Sequence, residues 1–198
     1  APTIDSTAVI TVDEDALYTY TVVASDVDAN DGMTLSVTST LPSWLSFDTT
    51  TGVLSGTPLN ANVGTQAVTV QAEDTAGLTA TQTFTITIDN TNDAPSITST
   101  AVTAVDEDSS YLYVVTSSDV DVGDNVILSA THPTWLSFEA STGKLTGTPA
   151  NGDVGTHSIT VTATDVAGDA GTQTFVITVA NTNDAPTIDS TAVITVDE

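Results

Sequence analysis

The 198-residue chain carries 26 acidic residues against a single basic one, Lys144, for a formal charge of −25. That balance excludes a nucleic-acid partner, since phosphate binding needs Lys and Arg, and it disfavours anionic membrane surfaces. Cysteine is absent, which excludes disulfide and thiol chemistry, and no apolar run is long enough for direct membrane insertion. A charge this one-sided self-repels, so bound divalent cations or a saline setting should offset it.

Self-similarity sets the organisation. Ala1-Pro2-Thr3-Ile4-Asp5-Ser6-Thr7-Ala8-Val9 returns as Ala94-Pro95-Ser96-Ile97-Thr98-Ser99-Thr100-Ala101-Val102, and residues 185–198 are identical to residues 1–14. The repeat starts at Ala1, Ala94 and Ala185 mark domains at 1–93 and 94–184, with 185–198 as the first strand of a third repeat. The chain reads as an excised piece of a longer array.

The first strand ends in an acidic triplet, Asp13-Glu14-Asp15, copied as Asp106-Glu107-Asp108. The second strand carries alternating tyrosines (Tyr18 and Tyr20; Tyr111 and Tyr113), for which packing is the default reading. It ends in Asp26-Val27-Asp28, copied as Asp119-Val120-Asp121. An EF-hand reading of the segment from Asp26 fails, because the glycine comes one position late and Val37 stands where Glu is needed.

Next come Trp44-Leu45-Ser46-Phe47 and Trp135-Leu136-Ser137-Phe138. Both tryptophans read as core plugs rather than as sugar-stacking platforms. The sixth strand alternates Val68, Val70 and Ala72 with polar residues, and repeat two copies this with Ile159, Val161 and Ala163; the strand ends at Asp74 or Asp165. In the seventh, Phe84, Ile86 and Ile88 face the core while threonines face water. Lys144 reads as a solvated turn residue. His132 and His157 have no copies in repeat one. Paired carboxylates can suggest a glycosidase, but short turns imply no cleft, so the chain does not read as an enzyme. Seven short strands in each repeat predict an all-β chain of two immunoglobulin-like Greek-key sandwiches.

Strand direction alternates, so the acidic segments separate by end. The acidic triplet and the turn between the fifth and sixth strands (Asn60, Asn62; Asn151, Asp153) lie at the bottom of each domain. The Asp-Val-Asp segment and Asp74 or Asp165 lie at the top. One complete junction is therefore expected from Asp13, Glu14, Asp15, Asn90, Asn92, Asp93, Asp119, Asp121 and Asp165. Two half-sites remain: Asp26, Asp28 and Asp74 at one end, and Glu107, Asp153, Asn183 and Asp184 at the other. Carboxylates and amide oxygens at this density suit Ca²⁺, which takes 6–8 oxygen ligands.

The linker Asn90-Thr91-Asn92-Asp93-Ala94-Pro95, with Asp119-Val120-Asp121 and Ala163-Thr164-Asp165-Val166-Ala167-Gly168, resembles the calcium motifs of cadherins. Leu41-Pro42-Ser43-Trp44-Leu45-Ser46-Phe47-Asp48 and Thr51-Gly52-Val53-Leu54-Ser55-Gly56-Thr57-Pro58 resemble dystroglycan-type cadherin-like repeats of bacterial surface proteins. The resemblance implies cadherin-like sandwiches at the cell surface or outside it, with two or three Ca²⁺ per junction rigidifying the array. It also implies a role in adhesion or as a spacer, or alternatively Ca²⁺-dependent carbohydrate binding. Glu14 takes the place of the family's first-strand glutamate. The acidic pair that cadherins place between the fifth and sixth strands is missing, and Asn60 and Asn62 stand near there. Expected partners are neighbouring repeats, like molecules through strand exchange by residues 185–198, or polysaccharide.

Overall fold

Thr and Val alternate through most of the chain, and that period of two builds sheets with one dry and one wet face. The computed structural model describes residues 1–28 and 32–190. They fall into two compact units, Ala1–Asp93 and Ala94–Glu198.

Unit one contains β1 (Thr3–Ile4), β2 (Thr11–Asp13), β3 (Tyr18–Thr21), β4 (Ala24–Ser25), β5 (Met33–Val37), β6 (Leu45–Asp48), β7 (Val53–Gly56), β8 (Gly64–Asp74) and β9 (Thr79–Asp89). One sheet has the order β2-β9-β8-β5 and the other β3-β7-β6, with β1 and β4 paired beside them. Unit two repeats the plan in β10 (Ser96–Ile97), β11 (Ala104–Asp106), β12 (Tyr111–Val114), β13 (Ser117–Ser118), β14 (Ile127–Thr131), β15 (Leu136–Glu139), β16 (Lys144–Gly147), β17 (Gly155–Thr164) and β18 (Ala170–Ala180). Its sheets run β11-β18-β17-β14 and β12-β16-β15.

The seven expected strands are present, but the first and second are each broken in two. β1 pairs antiparallel with β4 (Thr3↔Ser25), after which the chain crosses to the other sheet and β2 pairs parallel with β9 (Thr11↔Thr87). Ser6 holds the crossing point. Its Oγ accepts from Val23 N at 2.9 Å and lies 2.7 Å from Tyr20 Oη; Gln82 donates to Ser6 O at 2.9 Å and accepts from Tyr20 at 2.6 Å. Ser99, Tyr113 and Gln173 repeat the network in unit two.

Each core is one cluster between the sheets. Val68, Val70, Ala72 and Ile86 are fully buried, as are Ile159, Val161 and Ala163. Tyr18, Tyr20, Tyr111 and Tyr113 are buried too, with Thr19 and Leu112 facing out. Trp44 packs half-buried, edge-on to Tyr18, and Trp135 does the same to Tyr111. Lys144 departs from expectation: it is exposed on β16, not in a turn, opposite Glu139 on β15 and Val114 on β12.

Hydrogen bonds tie the ends of each sandwich. Asp15 N donates to Pro58 O and Glu14 N to Asp89 O, which gathers the β2–β3 turn, the β7–β8 turn and the end of β9 at one end. Asp108 N→Pro149 O and Glu107 N→Ala180 O do the same in unit two. At the opposite end β5 pairs with the last residue of β8 (Met33↔Asp74), and Ile127 pairs with Thr164. Of the expected third-repeat strand, residues 185–190 are exposed and carry no strand, and residues 191–198 lie outside the described residues, as do Asn30 and Asp31.

Candidate metal centre

The acidic triplet resolves into one inward and two outward groups. Asp15 and Asp108 adopt left-handed backbone angles, with φ of 59° and 61°, a region that Asp tolerates better than most residues. The turn they form directs the middle residue inward. Glu14 is 2% exposed, while Asp13 and Asp15 are exposed. Glu14 Oε1 accepts from Thr91 N at 2.8 Å, so the side chain grips the first part of the linker. Its Oε2 is buried without a hydrogen-bond partner. Asp93, on the same unit, offers an oxygen within 4.8 Å of one from Glu14. Asn90 and Asn92 are exposed on this linker.

Unit two repeats the arrangement. Glu107 is 1% exposed, Thr182 N donates to its Oε1 at 2.6 Å, and Oε2 is buried without a hydrogen-bond partner. The other residues of this expected half-site are committed locally. Asp153 Oδ2 accepts from Ala150 N at 2.9 Å and closes a one-turn 3₁₀ helix at Asn151–Asp153. Asn62 caps the matching turn of unit one through Leu59 N. Asp184 Oδ2 accepts from Asn151 Nδ2 at 3.1 Å, and Asn183 is exposed.

At the opposite ends the Asp-Val-Asp segments close on themselves. Asp26 Oδ1 accepts from Asp28 N, and Asp119 Oδ1 from Asp121 N, both at 3.0 Å. The second oxygen, Oδ2, of both Asp26 and Asp119 is buried without a hydrogen-bond partner. Asp74 and Asp165 each use Oδ1 to close the β8–β9 and β17–β18 turns, through Ala76 N and Leu78 N, and through Gly168 N and Asp169 N. The Asp28 amide holds Asp26 below the usual carboxylate range against the effect of burial. Asp28 itself is exposed.

Unit two also brings in a residue absent from the expected set. Asp119, Asp121 and Asp124 offer oxygens all within 4.8 Å of one another. Desolvation, followed by the charges of Asp119, Asp121 and Asp165, pushes the Asp124 carboxyl above its usual range. The sequence signal was available: Asp124 stands three residues after Asp121, as Asp31 does after Asp28.

The donors fit a hard cation. All are oxygens, and among the described residues four buried carboxylate oxygens lack a hydrogen-bond partner. Such oxygens are costly unless a positive charge meets them. The two histidines are engaged elsewhere, His132 Nδ1 with Pro133 O and His157 Nε2 with Asp153 O. Ca²⁺, with its flexible oxygen shell, suits this set better than Mg²⁺, which demands a tight octahedron.

Residues 1–89 and 94–180 match the model of the family described as Putative Ig domain. The chain belongs to this family. A serine-rich adhesin for platelets from Staphylococcus aureus (strain MSSA476) is similar to this pair of Ig domains, 32% identical over 146 residues, which cover 71% of the chain and 6% of the adhesin. The chain thus spans about 6% of the length of such curated relatives. Among solved structures, PcdhgB3 EC1-4 resembles it with a TM-score of 0.62 at 18% identity, over 92% of this chain and 50% of that one. Human Protocadherin-24 EC1-2 does so with a TM-score of 0.58 at 15% identity, over 92% and 99%. Both likenesses show the cadherin-like sandwich fold. The likeness to the adhesin places this pair of Ig domains outside the cell or at its surface. No helix among the described residues is long and apolar enough to cross a membrane.

Proposed function

We propose that this pair of Ig domains is a calcium-stiffened segment of a bacterial adhesive array, acting as a binding or spacer element and not as an enzyme. The observation that carries the reading is the set of buried carboxylate oxygens without a hydrogen-bond partner, Glu14 Oε2, Asp26 Oδ2, Glu107 Oε2 and Asp119 Oδ2, at equivalent places in both repeats. Glu14 and Asp93 would hold Ca²⁺ on unit one, pinning the linker that Glu14 already grips through Thr91 N. Asp119, Asp121, Asp124 and Asp165 would hold it on unit two. The bound ion supplies positive charge that offsets carboxylate repulsion and holds the linker in place. The staphylococcal relative, named as an adhesin for platelets, supports an adhesive parent protein.

Thermal unfolding with Ca²⁺ and with chelator tests this. A ligand present at 100 times its Kd and selective for the folded state stabilises it by about 2.7 kcal/mol. For domains of this size that corresponds to a midpoint rise of roughly 10–20 °C. Identical midpoints in the two media would refute the reading.

A further inference from the structure

Asn151–Gly152 is the one Asn–Gly step in the chain. It opens the 3₁₀ turn at Asn151–Asp153, and both residues are exposed. The turn does not need its glycine. A Cβ at Gly152 would meet nothing within 4 Å, and its φ lies outside the left-handed region. The matching turn of unit one, Asn60–Asn62, has Ala61 in that place. What glycine adds is access to its own backbone nitrogen, unshielded by a side chain.

We propose that Asn151 is a self-modification site that converts its amide to a carboxylate and so adds an acidic group to this end of unit two. The Gly152 backbone nitrogen, deprotonated by hydroxide, attacks Asn151 Cγ. The Cγ–Nδ2 bond breaks and nitrogen leaves as ammonia, giving a five-membered cyclic imide. Water then opens the ring at either carbonyl to yield aspartate or isoaspartate. The balance is one water consumed and one ammonia released, with no change of oxidation state.

The surroundings make this change matter. Asn151 Nδ2 now donates to Asp184 Oδ2 at 3.1 Å. Afterwards an anion faces Asp184 where a donor stood, at the same end as Asp153 and the buried Glu107. Two carboxylates in one place repel unless a cation lies between them. A hydrogen-bonded contact with one negative charge thus becomes a pair of anions that requires a cation, at the turn where the first repeat keeps Asn60. This consequence rests on the calcium reading above, whereas the covalent step does not.

Peptide mapping by mass, after incubating the full chain at mildly alkaline pH beside Gly152→Ala, tests the covalent step. The expected result is a gain of one mass unit on the Asn151 peptide, faster than on the Asn60 peptide and suppressed in Gly152→Ala. Equal gain in that variant, or an Asn151 peptide no faster than the Asn60 one, overturns the proposal. The Asn151→Asp variant tests the consequence. Its midpoint should fall below wild type in chelator and recover with Ca²⁺; a midpoint equal to wild type in both media overturns the added-ligand claim. If neither protein responds to Ca²⁺ while the mass shift still appears, the calcium reading fails and the modification stands.

Discussion

Replacing Glu14 by Gln separates a metal ligand from a structural cap, because the two roles predict opposite signs. The side chain does two things: Oε1 accepts from Thr91 N at 2.8 Å, and Oε2 sits buried with no hydrogen-bond partner. Glutamine keeps an acceptor for Thr91 and removes the buried charge. In chelator the exchange gives up part of a charge-assisted hydrogen bond, about 1 kcal/mol, and replaces the desolvation cost of an unpaired charge by the smaller one of an unpaired amide, about 1–3 kcal/mol. The variant should therefore be as stable as wild type there, or more so. In saturating Ca²⁺ the order reverses. A tenfold loss of affinity removes about 1.4 kcal/mol, or roughly 6–11 °C of midpoint for a domain of this size. The assay is a calorimetric scan of both proteins in both media, and the difference of differences is the readout. If Glu14→Gln lowers the midpoint equally in chelator and in Ca²⁺, Glu14 merely caps the linker, and the inference from its orphaned oxygen is wrong.

Three further outcomes follow from the same geometry. Asp124 has its folded-state pKa raised, so its contribution is present below the ordinary carboxylate value and lost as pH rises through the raised one; in chelator, Asp124→Asn should abolish that loss in a pH series of unfolding midpoints, and an unchanged pH profile would contradict the crowding described. Burial, with a smaller effect from the neighbouring tyrosine, raises Tyr18 and Tyr111 from 10.0 to about 12. Both units should accordingly lose stability between those values, on the order of 2–3 kcal/mol per tyrosine; ultraviolet titration should show a late phenolate step that Tyr18→Phe reduces. Gly56→Ala should be strongly destabilising, because a Cβ there would meet Trp44 O at 1.8 Å, whereas Gly64→Ala meets nothing within 4 Å and should cost only the strain of its left-handed backbone, about 1–2 kcal/mol; denaturant midpoints compare the two.

The repeats, the all-β class and the inward faces of β8, β9 and β17 were legible in the sequence alone. Alternation is a local property: once Val68, Val70 and Ala72 are in a strand, they must share a face. The ends to which the acidic segments belong were legible for a similar reason, since strand direction alternates and Asp15 N meets Pro58 O as that alternation requires. The aim of individual side chains within a turn was not. Three consecutive acids, Asp13, Glu14 and Asp15, are equivalent in composition, and only the left-handed backbone at Asp15 with its tertiary hydrogen bond turns Glu14 inward. Asp153 read as a ligand, and the sequence did not show that its Oδ2 also accepts from Ala150 N within the 3₁₀ turn. The breaks in the first and second strands were likewise hidden, because they depend on Ser6 meeting Tyr20 and Gln82 from distant parts of the chain. Sequence determined at which end of each sandwich the acidic segments lie, because strand direction alternates, but it did not single out Asp124. Tertiary structure decided which oxygens were left without a partner, because that depends on every donor that long-range packing brings near.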